Sequence, residues 1–305
     1  MIGAPDRFWR RLPHPVVWIG TLIGALDRRL NRAAWPGKLR RLLGILALVV
    51  VVAVAALAGA AIEAALRQLP GHVATIGLTA SILIAQNSLY RHVAAVAAAF
   101  DTGGLAAARR AVSLIVGRDP DSLDEAGVCR AAIETAAENF SDGVVAPAFW
   151  FALLGLPGLA AYKAINTADS MIGHLSERHR DFGWAAARFD DLVNLAPARL
   201  AGVAIALATP LAGGSIREAL RSMLRDARLH RSPNAGWPEA AMAGALGLAL
   251  AGPRRYGQRL VDDPYLNPGG RLEAGPADIR RALRVFIGAA VAVGVAVLVC
   301  ALALG

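Results

Sequence analysis

Residues 42–62 are 21 consecutive positions without a polar side chain, and this run restricts the chain to folds that a membrane accommodates. A helix of about 20 apolar residues spans the hydrocarbon core of a bilayer, which is about 30 Å thick. Residues 285–304 form a second run of 20 apolar positions. Charged residues are only 18% of the chain, against about 25% in a soluble domain. The sequence therefore predicts an all-α, polytopic integral membrane protein.

Four apolar segments between these two runs are interrupted by polar residues, proline or glycine. They are residues 73–100, 144–165, 192–213 and 240–251. The first is predicted to be one helix with polar side chains midway, the second is broken at Leu156-Pro157-Gly158, and the last is too short to cross. Such breaks are tolerated at membrane depth where protein or a wet cavity covers the backbone. We expect a single membrane-embedded catalytic domain over residues 1–305, with about five crossings and broken or re-entrant middle segments.

Positive charge is concentrated at the start of the chain. The formal net charge is +9, and nine Lys or Arg residues but only two acids precede Leu42. Cytoplasmic loops carry such an excess of basic residues, so we expect a multi-pass protein of the cell membrane with a cytoplasmic N-terminus and no nucleic-acid partner. The first forty residues contain no apolar stretch ahead of a small-residue cleavage site, so no cleavable signal peptide is expected. The two cysteines, Cys129 and Cys300, are too few for a disulfide framework or a zinc cluster.

Three carboxylates, Glu134, Glu138 and Asp142, are spaced four residues apart. On a helix this spacing puts them on one face, where they repel one another unless a cation lies among them. Asn139 adds a neutral oxygen, and oxygen ligands suit Mg²⁺ that is bound together with substrate phosphates. We expect the helix to end at the glycine and proline that follow. The alternative is a solvated acidic face without a ligand.

A second polar cluster follows the broken segment. Lys163, Asn166 and Ser170 share a helix face, and His174 is expected to continue it, while Asp169 lies near its edge. An amine, an amide, a carboxylate and an imidazole close together are typical of an anion site beside a cation site. The alternatives are a lysine that only snorkels to the membrane surface and a histidine with a structural role.

Two further clusters lie nearer the end of the chain. Their candidate residues are Arg188, Asp190, Asp191, Arg199, Arg225, Ser232 and Asn234. Arginine suits phosphate or carboxylate, and the turn-forming residues around Asn234 let a ligand approach backbone amides. An ordinary structural role is the alternative for both clusters, and for Asp190 it is that of a cap for the apolar helix that follows.

Longer motifs contain these clusters. They are Glu138-Asn139-Phe140-Ser141-Asp142-Gly143, Tyr162-Lys163-Ala164-Ile165-Asn166-Thr167-Ala168-Asp169-Ser170-Met171-Ile172-Gly173, Ala187-Arg188-Phe189-Asp190-Asp191-Leu192-Val193-Asn194 and Ser232-Pro233-Asn234-Ala235-Gly236-Trp237-Pro238. Together with Pro13-His14-Pro15-Val16 they resemble the membrane-bound adenosylcobinamide-phosphate synthase family (cobinamide synthase) of cobalamin biosynthesis. Several motifs in the same order make this resemblance far more specific than any one of them alone.

The resemblance implies a reaction between the propionate carboxylate of adenosylcobyric acid and the amine of aminopropanol phosphate or a related amino alcohol. The product is adenosylcobinamide phosphate, and the reaction consumes ATP and requires Mg²⁺. We therefore expect an amide-forming, ATP-dependent ligase. Its expected partners are the corrinoid and amino alcohol phosphate substrates and the lipid bilayer, with a second copy of the chain or other membrane enzymes of the corrin pathway as alternatives. The chain contains no P-loop sequence, so a bound nucleotide is held in another way.

Residue chemistry assigns each candidate a role in such a reaction. The catalytic candidates are Lys163, Asp169, His174 and Asp190. The candidate metal ligands are Glu134, Glu138 and Asp142, with Asp169 nearby. The candidate substrate contacts are Asn139, Asn166, Ser170, Arg188, Asp191, Arg199, Arg225, Ser232 and Asn234. Among these, Lys163, Arg188 and Arg225 suit phosphate oxygens, and His174 or Asp190 suits the base that leaves the attacking amine neutral.

Two other functions remain open. A membrane prenyltransferase also holds magnesium diphosphate on acid-rich helices, but the Asp-x-x-x-Asp spacing that such enzymes favour is absent, since Ala146 and Gly173 stand four residues after Asp142 and Asp169. A non-enzymatic membrane sensor of the same superfamily would not need the full set of acidic, lysine and Ser-Pro-Asn-Ala-Gly motifs.

Overall fold

The computed structural model describes residues 14–117, 119–256 and 259–304, and these residues are mostly helical. The helices are α1 (Pro15–Leu30), α2 (Gly37–Leu66), α3 (His72–Ile82), α4 (Gln86–Val112), α5 (Glu125–Phe140), α6 (Ala146–Ile172), α7 (Trp184–Val193), α8 (Leu195–Ala208), α9 (Ile216–Asp226), α10 (Gly236–Leu246) and α11 (Pro276–Leu304). Short 3₁₀ turns cover Pro120–Ser122, Thr209–Ala212 and Ala227–Leu229. Pro13, part of one motif, lies outside the described residues.

Four short strands interrupt the helices before α11. They are β1 (Leu250–Ala251), β2 (Arg254–Tyr256), β3 (Arg259–Val261) and β4 (Tyr265–Leu266). β1 pairs antiparallel with β4, and β2 pairs antiparallel with β3. Within the described residues the strands therefore form two small two-stranded sheets and no extended sheet.

Five helical segments within the described residues are long and apolar enough to cross a membrane. They are Gly37–Leu66, His72–Val112, Glu125–Ile172, Leu195–Ala212 and Pro276–Val299. This confirms the predicted all-α membrane fold, and α10 is, as expected, too short to cross. Residues 73–100 are not one helix, because the chain leaves helical geometry between α3 and α4.

The predicted helix end at Gly143 and Pro147 is wrong. The chain instead passes through a π-helical turn, Ser141–Val145, and continues directly as α6. Pro147 has no N–H to donate to the carbonyl four residues earlier, and the widened turn that precedes it is of the rare π-helical type, which appears mostly as a single turn inside α-helices. The Gly143 carbonyl instead accepts a hydrogen bond from the Ala85 N–H at 2.9 Å.

The predicted break in α6 is confirmed, and it lies at Gly155. This glycine has φ 65° and ψ −155°, a conformation that needs glycine. Pro157 follows within the helix, and the Leu156 N–H donates to the Glu63 carboxylate at 2.7 Å. A buried donor is thus satisfied by a side chain of α2, as membrane depth demands.

The residues divide into two compact sets, here called unit I (residues 14–84 and 146–194) and unit II (residues 85–145 and 195–304). In unit I, α2 packs closely against the α6 region through small residues. A Cβ on Gly44 would overlap the Phe182 carbonyl oxygen, and one on Gly59 would lie 2.6 Å from the Leu156 oxygen. Small residues allow this approach between membrane helices.

In unit II, α10 is the central element. All eleven residues of α10 except Trp237 are buried, including Glu239. Gly202 of α8 and Gly244 of α10 lie where a Cβ would meet a neighbouring helix. The segment that contains the four strands begins near Ala251 and ends near Asn267. Both residues have positive φ, 60° and 55°.

We expect Gly44→Ala to lower the free energy of unfolding by about 1–3 kcal/mol, the usual cost of overpacking. The added methyl group meets rigid backbone and not a flexible side chain. Gly77→Ala is the matched control, because the position is helical, exposed and free of atoms within 4 Å, so it is neutral or slightly stabilising. Thermal unfolding of the purified proteins in one detergent compares them, and equal unfolding temperatures would contradict this packing.

Candidate active site

A hydrogen-bonded group in unit I is centred on the Asp190 carboxylate, near the end of α7. Asn166 of α6 donates to its Oδ1 at 3.5 Å, and Asn194 donates to its Oδ2 at 3.0 Å. The buried Tyr162 hydroxyl donates in turn to the Asn194 Oδ1 at 3.0 Å. Asp190 lies inside α7 and does not cap the next helix, so the capping interpretation is wrong.

The pKa of Asp190 is raised to about 7. Burial is the largest cause, and the negative charge of Asp169 adds to it, while the hydrogen bonds from Asn166 and Asn194 act in the opposite direction. A carboxyl group with this pKa exchanges a proton close to neutral pH. Perturbed values of this kind cluster at functional sites.

Two more candidates adjoin Asp190. Asp191 lies 3.4 Å from the Arg188 guanidinium, and burial raises the Asp191 pKa although Arg188 opposes the rise. Asp169 interacts electrostatically with Asp191 and with His174. The structure thus brings together Asp169, Asp190 and Asp191, which the sequence had placed in two separate clusters.

Lys163 is buried, with 8% of its surface exposed. This differs from a lysine that extends its amine to the membrane surface. Its backbone carbonyl accepts from the Thr167 hydroxyl at 2.6 Å. Lys163 and Asn166 occupy successive turns of α6, as the sequence predicts.

The expectation that His174 continues the helical face is wrong, because α6 ends at Ile172. A Cβ on Gly173 would overlap the Asp169 carboxylate, and one on Gly183 would overlap the Ile172 carbonyl oxygen. The two glycines therefore allow the chain to turn tightly. His174 lies exposed in this turn, and the exposed Ser170 hydroxyl donates back to the Asn166 carbonyl at 2.9 Å.

A group that the sequence did not reveal holds this turn against α1. The Arg178 guanidinium contacts the Asp27 carboxylate at 2.6 Å, and His179 Nε2 lies 3.5 Å from the same carboxylate. Burial opposes ionisation of Asp27, but hydrogen bonds from Asn31 and Arg178 outweigh it and lower the Asp27 pKa. The His179 ring stacks edge-on against His174, with centroids 5.6 Å apart. About 150 positions separate Asp27 from its partners Arg178 and His179, so no local sequence pattern indicates that they are in contact.

In unit II, the three acids of the predicted metal face differ in environment. Glu134 is buried and its Oε1 accepts from the Ala251 N–H at 2.9 Å, Glu138 is exposed, and Asp142 is half-buried in the π-helical turn. Asn139 is exposed and donates to the Thr135 carbonyl at 3.0 Å. No group of three His, Cys, Asp or Glu side chains among the described residues is arranged to hold a metal ion by itself.

The remaining candidates of unit II lie around α9 and the start of α10. The Arg225 guanidinium contacts the buried Asp226 carboxylate at 2.6 and 2.7 Å, and Asp226 also accepts from the Asn267 N–H at 2.8 Å. These hydrogen bonds outweigh burial and lower the Asp226 pKa. Arg199 lies over the Trp237 ring, 4.4 Å from its centroid.

The Ser-Pro-Asn-Ala-Gly motif forms an ordered turn before α10. The Ser232 hydroxyl accepts from the Asn234 and Ala235 N–H groups at 3.2 and 3.1 Å. A Cβ on Gly236 would overlap the Ala227 carbonyl oxygen, which explains the glycine. Asn234 is buried. Ser232 thus has a structural use that the sequence left as an alternative.

A family model described as "CobD/Cbib protein" matches residues 1–286, nearly the whole chain. The chain belongs to this family. The match covers unit I, unit II up to residue 286 and every candidate residue above. It confirms the resemblance that the motifs indicate.

Similar proteins from three bacteria bear the description "Cobalamin biosynthesis protein CobD". That of Brucella suis biovar 1 is 54% identical over 292 residues, covering 93% of this chain and 88% of the relative. That of Rhodobacter capsulatus is 51% identical over 285 residues with the same coverage, and that of a Sinorhizobium species is 50% identical over 292 residues, covering 95% and 90%. No solved structure matches the chain.

Proposed function

We propose that this protein acts in cobalamin biosynthesis and joins adenosylcobyric acid to aminopropanol phosphate, or a related amino alcohol phosphate, to form adenosylcobinamide phosphate. The description of relatives at 50–54% identity as cobalamin biosynthesis proteins supports the pathway, and the motif set supports the reaction. In the proposed ligase reaction, a substrate carboxylate oxygen takes a phosphoryl group from ATP and ADP leaves. The amine then attacks the acyl carbon, phosphate leaves, and one proton is lost from nitrogen.

The observation that carries this proposal is the half-buried Asp190 carboxylate, which is hydrogen-bonded to the Asn166 and Asn194 amides and has its pKa raised to about 7 by desolvation and the Asp169 charge. The amine of an amino alcohol is protonated at neutral pH, so the reaction needs a group that accepts a proton there. Asp190 meets that need, and the amides of Asn166 and Asn194 fix its orientation. His174 is exposed and is the alternative base.

The remaining candidates supply charge and polar contacts. Lys163, Arg188 and Arg225 are proposed to neutralise phosphate oxygens, since fixed cations stabilise the charge that develops there. Polar contacts to the substrates are assigned to Asn139, Asn166, Ser170, Asp191, Arg199, Ser232 and Asn234. Arg225 already pairs with Asp226, so a phosphate there would share the guanidinium.

The residues present fit Mg²⁺ only as an ion that arrives with phosphate. Mg²⁺ is usually held by one or two carboxylates, waters and substrate phosphates. The exposed Glu138 and the half-buried Asp142 suit that mode, with Glu134 behind them engaged on Ala251. The bound ion would neutralise charge on ATP, whereas the negative charge of Asp169 adds to the rise in the Asp190 pKa that burial causes.

We expect Asp142→Asn to reduce turnover severely and to raise the Mg²⁺ concentration needed for the remaining activity. The change removes a negative ligand and keeps the size of the side chain. Activity measured against Mg²⁺ concentration checks this, and the amount of protein in the membrane controls for folding. If Asp142→Asn has wild-type activity at ordinary Mg²⁺ concentration, the three acids do not form a metal site. Glu138 and Asp142 are then a solvated face, and Glu134 only binds the Ala251 backbone.

Complementation tests the proposed function as a whole. The host is a strain that cannot convert cobyric acid to cobinamide phosphate, supplied with either cobyric acid or cobinamide as the only corrinoid. We expect growth on both supplements when the chain is expressed. Growth on cobinamide but not on cobyric acid would contradict the proposed activity.

We further propose that the protein lies in the cell membrane with its N-terminus in the cytoplasm. The basic stretches at residues 217–231 and 254–284 resist translocation, so we expect them on the cytoplasmic side and the end of α11 outside. A phosphatase fused after Gly305 should be active, and one fused after Pro268 inactive. The reverse pattern would contradict this topology.

A further inference from the structure

Helices α4 and α11 of unit II enclose a groove of about 220 Å³ that changes in character along its length. One end is lined by Asp101, Arg280 and Arg284. Leu283 lies between the two arginines on α11, and the rest is lined by alanines of α4, by Ile287 of α11 and by Tyr90. A groove that is charged at one end and apolar beyond it matches an amphipathic ligand.

The two helices run in opposite directions along this groove. Asp101 and Arg280 are in contact at 2.5 Å at the charged end, and Tyr90 and Ile287 line the groove farther along. At a rise of about 1.5 Å per residue, the groove extends roughly 10–16 Å from its charged end. That length accommodates much of one acyl chain in one leaflet of a bilayer about 30 Å thick.

Two independent features of the charged end are those expected at a membrane surface. The apolar sequence of α4 stops at Phe100, and helical geometry breaks at Gly103 and Gly104, with φ/ψ of −157°/19° and 60°/−155°. On α11, Arg280 lies one turn inside the candidate span Pro276–Val299. By length and composition, the apolar part of the groove belongs to the candidate membrane spans His72–Val112 and Pro276–Val299.

The charges at this end favour an anion. Arg280 and Arg284 face one carboxylate, that of Asp101, which leaves a net positive charge. The Arg284 Nε donates to the Leu211 carbonyl at 3.2 Å, and the guanidinium has four further N–H donors. Arg281 is different, because it serves the core by donating to carbonyl groups of unit II at 3.1 Å.

We propose that this groove binds a phospholipid with an anionic headgroup. Arg280 and Arg284 hold the phosphate, and one acyl chain lies along Ala94 and Ile287. Basic pockets between membrane helices bind anionic headgroups in this way. No candidate catalytic residue lines the groove, and the inference does not depend on the proposed reaction.

Lipid binding is measured on the purified full chain in a neutral detergent, by native mass spectrometry and by thermal unfolding. We expect phosphatidylglycerol to bind and to raise the unfolding temperature, whereas phosphatidylcholine and inorganic phosphate at equal concentration do so much less. Arg280→Gln and Arg284→Gln should each weaken the apparent affinity about 5-fold, the contribution of one basic residue near a membrane surface. Asp101→Asn should strengthen it, because a competing anion is removed.

Two variants separate this site from general surface charge. Arg110→Gln, an exposed arginine on the same helix, is the matched control and should keep wild-type affinity. Ala94→Leu narrows the apolar part and should weaken phosphatidylglycerol binding while Arg280 and Arg284 remain. Equal stabilisation by phosphatidylcholine, equal losses in Arg110→Gln and Arg280→Gln, or full competition by inorganic phosphate would each overturn the proposal.

Discussion

Replacing Asp190 with asparagine is expected to lower kcat by about 100- to 10,000-fold, the range for a lost general base. Burial and the neighbouring Asp169 charge raise the Asp190 pKa to about 7, so a large fraction is ionised at neutral pH and ready to accept a proton. Asparagine keeps the size of the side chain but accepts no proton. Steady-state turnover at saturating substrate measures the effect.

The pH dependence gives this prediction a readout beyond loss of activity. Only the ionised carboxylate accepts a proton, so the wild-type kcat should rise with pH and level off above about 7. Asp169→Asn removes a negative neighbour, which lowers the Asp190 pKa and moves the rise to lower pH. The exposed Glu177 is the matched control, and Glu177→Gln should leave the profile unchanged. An Asp190→Asn variant within about threefold of wild type would leave His174 as the base.

Lys163→Arg is expected to lose most activity, and Lys163→Ala nearly all of it. A buried lysine that reaches phosphate acts as a compact point charge, and the planar arginine fork is larger and differently hydrated. Loss of one charge-assisted phosphate contact costs about 2–4 kcal/mol in the transition state, or roughly 30- to 1000-fold in rate. Turnover per membrane-inserted protein measures it.

The chain offers a matched control in Lys38, its only other lysine, which is exposed at the start of α2. Lys38→Arg should keep wild-type activity. If Lys163→Arg also turns over like wild type, Lys163 is an anchor, and Arg188 or Arg225 becomes the main phosphate contact. Partial rescue of Lys163→Ala by an added primary amine would further favour the point-charge role.

Hydropathy predicted the fold class well because long apolar runs leave few structural choices in a membrane. The break in α6 was also predictable, since Pro157 and its neighbouring glycines are local signals. The π-helical turn at Ser141–Val145 was not predictable. There the Gly143 carbonyl accepts a hydrogen bond from the Ala85 N–H, a donor outside the helix. The sequence does not show that an external donor is available there.

The candidate site was predictable where it follows helical spacing and was not where it depends on tertiary contact. Lys163 and Asn166 share α6 as expected. Glu134, however, is buried whereas Glu138 is exposed, although the two residues have regular helical spacing. The pKa of Asp190 depends in part on Asp169, 21 positions away on another helix. The sequence does not show how far apart two residues on different helices lie in space. The metal, substrate and catalytic assignments stay predictions.

The most direct test of the proposed function is product formation by the purified chain in lipid nanodiscs. Adenosylcobyric acid, aminopropanol phosphate, ATP and Mg²⁺ are supplied together, and the products are analysed by mass spectrometry. We predict a corrinoid whose mass equals the sum of the two substrates minus one water, formed only when ATP is present and with one ATP hydrolysed per amide. Substrates that remain unjoined with folded protein, ATP and Mg²⁺ present would contradict the proposed function.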